Sequence, residues 1–147
     1  LVGPRAGMSS AVSVEMEAVD PPWWTGATIV GTEALASTTE DFTIDHPGTE
    51  EGSDSLWTID GPITNPRILN QTNGVYVEFL GSVDAGEQLI IDTQAYSALL
   101  DGTNVIGSIR HSGARQWLLI EPGLNNMRIT GSAVGGSVDY EFVPPYL

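Results

Sequence analysis

The two histidines of the chain, His46 and His111, are the first residues to consider for acid–base, nucleophilic or metal chemistry. A serine hydrolase would bring one of them to a serine and an acid, but the G-x-S-x-G turn of many such enzymes does not occur. Two histidines without any cysteine also predict no tightly bound transition metal. We therefore expect no catalytic residue, no cofactor and no metal site, and we expect both histidines to lie in surface loops.

Carboxylates are a second source of chemistry, because the chain has 19 acidic residues. Two carboxylates about 5–10 Å apart can hydrolyse a glycoside, but among so many acids some pair always comes that close. Glu50, Glu51 and Asp54 place three hard oxygen ligands in one short stretch, as calcium prefers. The D-x-D-x-D-G pattern of a calcium loop is absent. The stretch is thus predicted to be a solvated acidic loop, with weak calcium binding as the alternative.

Tryptophan is a third candidate, since its ring can stack on a sugar through apolar contact. Trp23 and Trp24 are adjacent, and neighbouring side chains of a strand point to opposite faces. One of the two is therefore expected to be exposed, where it would contact a glycan or a partner protein. Trp57 and Trp117 stand within apolar runs and are expected in the core.

The elements that must position these residues are short β-strands, because apolar runs of strand length alternate with turn residues. Asn73-Gly74, Asp101-Gly102 and Gly135-Gly136 are predicted hairpin turns. Many short strands without a helix predict an all-β fold, a two-sheet antiparallel β-sandwich. The main predicted strands cover 11–19, 27–35, 42–44, 55–60, 68–70, 75–80, 88–92, 96–100, 105–109, 116–120, 126–130 and 137–142.

The core is predicted from the apolar side of each alternating run. Its members are Val12, Val14, Ile29, Trp57, Val77, Phe79, Ile91, Leu118, Ile120, Ile129, Val138 and Tyr140.

Several residues have a predicted role in turns. Asp20-Pro21 ends the first strand, since proline cannot donate to a sheet ladder. Pro66 is expected to hold Asn65 extended and so to mark a strand start. Gly123 is expected to take a positive φ after Pro122, and Asn125 to cap that turn through its side chain. We expect Asp92 to cap the loop that leads to residue 96 in the same way.

Composition limits the function classes. The 147 residues fit one domain, and a chain of this size buries enough surface to fold without a metal or disulfide. The net charge is −14, with five arginines and no lysine, so the chain repels the phosphates of nucleic acid and of anionic membranes. No apolar run approaches the length of a membrane span. We expect neither nucleic acid nor membrane as a partner.

One arrangement of residues resembles a known family, the C-terminal domain of siphophage distal tail proteins, also called phage tail or minor tail proteins. The resemblance covers residues 10–147. It consists of the order of Val14-x-Met16-x-Ala18-x-Asp20-Pro21, Gly61-Pro62, Asn65-Pro66, Gly74, Gly86-Glu87, Asp92-Thr93, Trp117 and Pro122-Gly123-x-Asn125, followed by a C-terminal β-hairpin.

The resemblance implies a galectin-like, jelly-roll-like β-sandwich in a protein of the virion tail tip. In that family an N-terminal β domain forms a hexameric ring between tail tube and tip, and the C-terminal domain projects outward and often resembles a carbohydrate-binding module. Residues 1–10 would then be a linker or incoming segment, and 11–147 the sandwich of a longer tail protein. Because the ring-forming part is missing from the sequence, the isolated chain is expected to be a monomer.

We therefore interpret the chain as a non-enzymatic structural component of a phage tail tip, acting in assembly or docking and in host attachment. Its partners would be other tail proteins: the tail tube, the tip hub or a receptor-binding protein. The alternative is a carbohydrate-binding module that recognises host cell-wall glycans. An exposed Trp23 or Trp24 beside a polar groove would favour that alternative.

Overall fold

A computed structural model describes residues 24–52, 54–112 and 117–146. The predicted strand at 11–19 and the predicted boundary after residue 10 lie outside these ranges. No helix in the described ranges is long and apolar enough to cross a membrane. The strands are β1 Trp24–Thr25, β2 Ile29–Ala34, β3 Thr39–His46, β4 Ser55–Asp60, β5 Ile63–Asn70, β6 Val75–Phe79, β7 Ser82–Val83, β8 Gln88–Asp92, β9 Ser97–Leu100, β10 Thr103–Asn104, β11 Ile109–His111, β12 Gly123–Ser132, β13 Ser137–Phe142 and β14 Pro145–Tyr146.

The strands form two six-stranded antiparallel sheets and one small pair. Sheet I has the order β10-β9-β8-β4-β13-β2, and sheet II has the order β11-β6-β5-β12-β3, with β7 added beside β5. Strands β1 and β14 pair apart from both sheets. The predicted all-β sandwich is therefore confirmed.

Alternation along the strands separates the core from the surface. In β4, Ser55, Trp57 and Ile59 are buried, while the residues between them are partly or fully exposed. The same period of two runs through β3, where Phe42 and Ile44 point inward. The buried apolar side chains between the sheets are Leu35, Phe42, Ile44, Trp57, Ile59, Ile63, Ile68, Val77, Phe79, Val83, Leu89, Ile91, Ala98, Trp117, Leu118, Ile120, Met127, Ile129, Val138 and Phe142.

The core prediction is confirmed for most of its positions. Ile29 and Tyr140 are only partly buried and pack against the cluster, and Val12 and Val14 lie outside the described residues. Trp57 is fully buried, and its Nε1 donates to Oγ of Ser55 at 2.9 Å, which satisfies the indole N–H inside the core.

Strand β3 is longer than predicted. The sequence indicated a short strand at 42–44 within a long loop, whereas Thr39–His46 forms eight residues of strand. β12 provides a partner at every position from Gly123 opposite His46 to Thr130 opposite Thr39. The acids of this stretch do not break the strand, because Asp41 and Asp45 alternate with the buried residues and stay exposed.

Two predicted hairpins differ from the structure: the one at Asp101-Gly102 forms with a shorter return strand, and the one at Gly135-Gly136 is a crossing between the sheets. Asp101 and Gly102 do make a tight turn with φ of 45° and 78°, but only β10 pairs back onto β9. The predicted return strand at 105–109 is wrong, since Ile106–Ser108 is a 3-10 turn and β11 joins sheet II. Gly135-Gly136 is not a hairpin turn, because it lies between β12, which belongs to sheet II, and β13, which belongs to sheet I.

The predicted strand at 116–120 is also wrong. Trp117 and Leu118 lie in a bend, and only Ile120 makes a bridge, to Gly52. Both side chains of this bend are nevertheless buried. The apolar side chains of this segment made it resemble a strand, although the bend at 117–118 packs over one end of the core.

Candidate functional site

Asn125 organises the turn that leads into β12. It is fully buried, its Oδ1 accepts the N–H of Glu121 at 2.9 Å, and its Nδ2 donates to the carbonyl of Glu121 at 2.7 Å. Nδ2 also lies 3.0 Å from the carbonyl oxygen of Gly123, whose φ is 90°. Pro122 lies exposed within this turn. The side chain expected to cap the turn therefore does so, through three hydrogen bonds to the backbone of that turn.

Asn65 lies in a conformation that was not expected. Its φ is 51°, so the prediction that Pro66 holds it extended at a strand start is wrong. β5 begins earlier, at Ile63, and between Thr64 and Arg67 it has two residues where β12 has only Gly131. This is a β-bulge, in which the extra residue leaves the ladder and bends the strand.

The backbone groups freed by the bulge find partners at Gly81. The N–H of Asn65 donates to the carbonyl of Gly81 at 2.7 Å, and Oδ1 of Asn65 accepts the N–H of Gly81 at 3.0 Å. Asparagine is one of the few residues that enter this region of φ at low cost. The Asn-Pro pair is thus structural, although in a different way from the one that the sequence suggested.

Asp92 caps the loop after β8. Its Oδ1 accepts the backbone N–H groups of Gln94 at 2.9 Å and of Ala95 at 2.8 Å. The other predicted turn residues, Asp20 and Pro21, lie outside the described part of the chain.

His46 is not a surface residue, and that prediction is wrong. Its side chain is 1% exposed, because it continues the inward side of β3 after Phe42 and Ile44. Nδ1 accepts the N–H of Gly48 at 3.0 Å, and the imidazole stacks on Phe142 with 5.5 Å between ring centres. Nε2 has no hydrogen-bond partner among the residues that the structure describes. Burial lowers the pKa of His46 below its ordinary value.

His111 lies elsewhere, exposed at the end of β11 and 5.9 Å from the ring of Trp117. It belongs to the outer strand of sheet II, whereas His46 ends the opposite edge strand. The two histidines are therefore not brought into one site.

The acidic loop borders a groove of about 670 Å³ at one end of sheet I. Glu51 and Asp54 lie exposed at its rim, Asp92 and Glu141 complete the acidic side, and apolar residues including Leu56 form the remainder. Within the ranges 24–52, 54–112 and 117–146, no group of three or more His, Cys, Asp or Glu side chains could hold a metal ion.

The tryptophans fall into two groups. Trp57 and Trp117 are buried, as predicted. Trp117 meets Tyr96 edge to face with ring centres 5.8 Å apart. Trp24 pairs with Tyr146 through the backbone of β1 and β14, but its side chain and the whole of Trp23 lie outside what the structure describes. Their predicted contact with a glycan or partner therefore stays a prediction.

The outward face of sheet II holds the arginines of the described ranges. Arg128 forms a two-pronged ion pair with Asp41, with both contacts at 2.7 Å. Arg67 and Arg110 stand on either side of Glu78 in the sheet register. Asp41 and Glu78 on this face therefore lie beside arginines.

One aromatic ring shares this face of sheet II. The guanidinium of Arg67 lies 3.9 Å from the ring centre of Tyr76, a cation–π contact. Nε of Arg67 is buried by this stacking and has no hydrogen-bond partner among the described residues.

The outward face of sheet I has a different character. Its second groove, about 240 Å³, is lined by residues of β2, β4 and β13, among them Val30, Leu56, Asp139 and Glu141. Neither groove-lining set contains an arginine. Acidic and aliphatic side chains thus make up much of the lining of both grooves.

A family model described as "Siphovirus-type tail component, C-terminal domain" matches residues 53–144 of the chain, which is more than half of the 147 residues. The chain belongs to this family. The resemblance drawn from the order of turn residues is thereby confirmed, and a siphovirus-type tail component is located in the virion tail.

A solved structure shares the fold of this tail component. It is the Dit protein (gp 19.1) of SPP1, described as "a paradigm of hub adsorption apparatus in Gram-positive infecting phages". The TM-score is 0.59 at 10% sequence identity, and the match covers 87% of this chain. The chain spans 50% of the SPP1 protein, so the likeness concerns one part of that molecule and shows the fold alone. No curated protein matches the tail component.

Proposed function

We propose that the tail component is the outer domain of a siphophage distal tail protein, that it has no enzymatic activity, and that it docks against neighbouring tail proteins. One observation supports this most strongly. The side chains of Asn65, Asp92 and Asn125, which carry the family resemblance, accept hydrogen bonds from backbone N–H groups of the chain itself. These residues build a scaffold and leave no set of polar groups aimed at a small ligand.

The proposed partners come from the family to which the chain belongs. A hub component meets the tail tube, the tip hub or a receptor-binding protein, and the hexameric ring belongs to a longer protein. The proposed division is a linker at 1–10 and a β-sandwich domain at 11–147. The isolated chain is a monomer, which light scattering coupled to size-exclusion chromatography would measure.

The location and the docking role have a direct test. Antibody against the chain should label one end of the tail in electron micrographs of purified virions, and mass spectrometry of those virions should detect its peptides. Labelling of the capsid, or absence of the peptides from purified virions, would refute the proposal.

Host attachment through a glycan is the second candidate function. Tyr76 on the outward face of sheet II supports it, because an aromatic ring beside an arginine can hold a sugar that carries an acid group. The predicted Trp23 and Trp24 contact would be a second platform. Against it stands the position of Trp57 and Trp117 inside the core, which leaves few aromatic rings for stacking.

A glycan array together with a tryptophan fluorescence titration against host cell-wall polysaccharide separates the two functions. If the chain only docks against tail proteins, we expect no saturable binding to the polysaccharide. Saturable binding that disappears in Trp23→Ala, Trp24→Ala or Tyr76→Ala, but survives in Tyr96→Ala, would establish the tail component as a carbohydrate-binding module instead. Tyr96 is a suitable control because its ring is 45% exposed elsewhere on the surface.

A further inference from the structure

Two carboxylates on the outward face of sheet I have no structural task in the described part of the chain. Asp139 and Glu141 stand two positions apart on β13, so both side chains point outward, about 7 Å from each other. Neither makes a hydrogen bond or ion pair with a residue of the described ranges. Asp60 and Asp92 on the same face do have partners, namely Nε2 of Gln88 and two backbone N–H groups.

No arginine of the described residues belongs to the same sheet as the two carboxylates. Arg67, Arg110 and Arg128 all belong to strands of sheet II, which forms the other layer of the sandwich. The chain has no lysine, and its remaining arginines, Arg5 and Arg115, lie outside the described residues. Within the described ranges, no arginine of the same sheet therefore compensates the charges of Asp139 and Glu141.

Aliphatic side chains flank these carboxylates. The register places Val30 on one side of Glu141 and Leu56 on the other, so the three form one row across the sheet. Val30 is 70% exposed and Leu56 is 37% exposed. Both grooves described above share Leu56 and Glu141, so the depressions adjoin each other along this row.

We propose that the outward face of sheet I docks a protein surface that presents arginine side chains around an apolar side chain. This inference rests on the proposed docking function and names its surface and the chemistry of its partner. Arginine suits the site because its planar guanidinium pairs with a carboxylate through two hydrogen bonds, and its weak hydration lowers the cost of leaving water. The apolar side chain of the partner packs against Val30 and Leu56, which would otherwise expose aliphatic surface to solvent.

Other occupants fit this face less well. A calcium ion needs six or more oxygen ligands, and Asp139 and Glu141 belong to no group of three acids within hydrogen-bonding range of one ion among the described residues. A sugar would stack on an exposed aromatic ring, but the aromatic side chains that line these grooves, Tyr140 and Phe142, lie on the inward side of β13 and pack in or against the core. Nucleic acid and anionic lipid are repelled by the same carboxylates.

The test uses the whole 147-residue chain, labelled with ¹⁵N, and a peptide of alternating arginine and leucine as the probe. Two matched peptides replace either every arginine by glutamine or every leucine by serine. Amide shifts on titration should concentrate in β2, β4 and β13, and both matched peptides should bind more weakly. Raising the salt concentration should weaken binding, because exposed charges are screened.

Variants on this face, compared with matched variants elsewhere, test whether the peptide binds specifically to the outward face of sheet I. Asp139→Asn with Glu141→Gln should weaken binding about three- to tenfold, as expected for one or two exposed ion pairs. Asp45→Asn with Asp84→Asn removes the same charge from exposed positions elsewhere and should change binding less than about twofold. Val30→Ser should weaken binding, whereas Leu124→Ser, which alters a side chain 61% exposed on sheet II, should not. Unchanged melting temperatures would show that all variants are folded.

Three results would overturn the proposal. The first is equal weakening by the two charge-removing pairs, which would mean diffuse attraction to an acidic chain. The second is no effect of Val30→Ser together with equal binding of the serine-containing peptide. The third is displacement of the peptide by millimolar calcium with shifts at the same amides, which would assign the face to a cation. In each case virion labelling could still succeed, so the docking surface would fail without the proposed function failing.

Discussion

Nδ2 of Asn70 donates a hydrogen bond to Oδ1 of Asn125 across 2.8 Å, and both side chains are fully buried. Asn70 ends β5, whereas Asn125 stands near the start of β12. The same Nδ2 also contacts the carbonyl of Leu119 at 2.8 Å, and Oδ1 of Asn70 accepts the N–H of Thr72 at 3.0 Å. The pair therefore connects the buried segment at 117–120, which precedes β12, to the hairpin turn that follows β5.

We expect Asn125→Ala to lower the free energy of unfolding by about 3 kcal/mol, because it removes the four hydrogen bonds of this buried side chain, one of them from the Asn70 amide. Urea unfolding monitored by tryptophan fluorescence measures the change. Asn126→Ala is the matched control, since the neighbouring side chain is exposed and its loss should cost less than about 0.5 kcal/mol. A loss below about 1 kcal/mol for Asn125→Ala would show that water replaces the network.

Phe79, the last residue of β6, and its neighbour Leu80 allow a buried and an exposed apolar side chain to be compared. Phe79 is 4% exposed and Leu80 is 37% exposed. Phe79→Ala should cost about 3–5 kcal/mol of stability through lost apolar contact and the cavity that remains. Leu80→Ala should cost less than about 1 kcal/mol. Equal losses in thermal or urea unfolding would contradict the assignment of Phe79 to the core.

The bulge at Asn65 predicts which of two substitutions at this position lowers stability more. Asn65→Ala loses the hydrogen bond to Gly81 and places at a φ of 51° a residue that adopts this region less readily than asparagine, so it should cost about 1–2 kcal/mol. Asn65→Gly loses the same bond without the conformational cost and should be the more stable of the two by about 1 kcal/mol. The opposite order would indicate an extended residue at this position, as the sequence first suggested.

Burial of His46 predicts a dependence of stability on pH. Because its pKa is lowered in the folded chain, the unfolded chain binds the proton first when the solution is acidified. Stability from this group is therefore fully present above pH of about 6.5 and is lost as the pH falls towards the lowered pKa.

The measurement is the urea midpoint at pH values between 7.5 and 5. His46→Gln should flatten the profile in this interval, whereas His111→Gln, which alters an exposed ring, should leave its slope unchanged. Glutamine is chosen because it retains a polar side chain at a site where Nδ1 accepts the N–H of Gly48. An unchanged slope in His46→Gln would show that another group titrates.

Much of the fold follows from local pattern. β4, β8 and β13 lie where the alternation of apolar residues placed them, and Trp57, Ile91 and Val138 are buried as that alternation requires. The family could also be found from the sequence, because turn residues such as Gly123 and Asn125 have backbone requirements that few other residues meet.

The candidate docking surface could not be located in this way. Nineteen acids and five arginines indicated an acidic chain, but not that Arg67, Arg110 and Arg128 lie on one layer while Asp139 and Glu141 lie on the other. A strand's own sequence shows which side chains share a face. Which other strand stands beside that face depends on pairing across long stretches of chain.

The sequence by itself determined the class of the fold, most of the strands, the buried alternating residues and the family. Only the tertiary structure decided which sheet each strand joins, that 105–109 and 133–136 cross between the sheets, and that His46 is buried. The physical reason is that a period of two marks the two faces of a single strand. Partner, register and burial at its ends depend on backbone hydrogen bonds and packing supplied by residues far away in the chain.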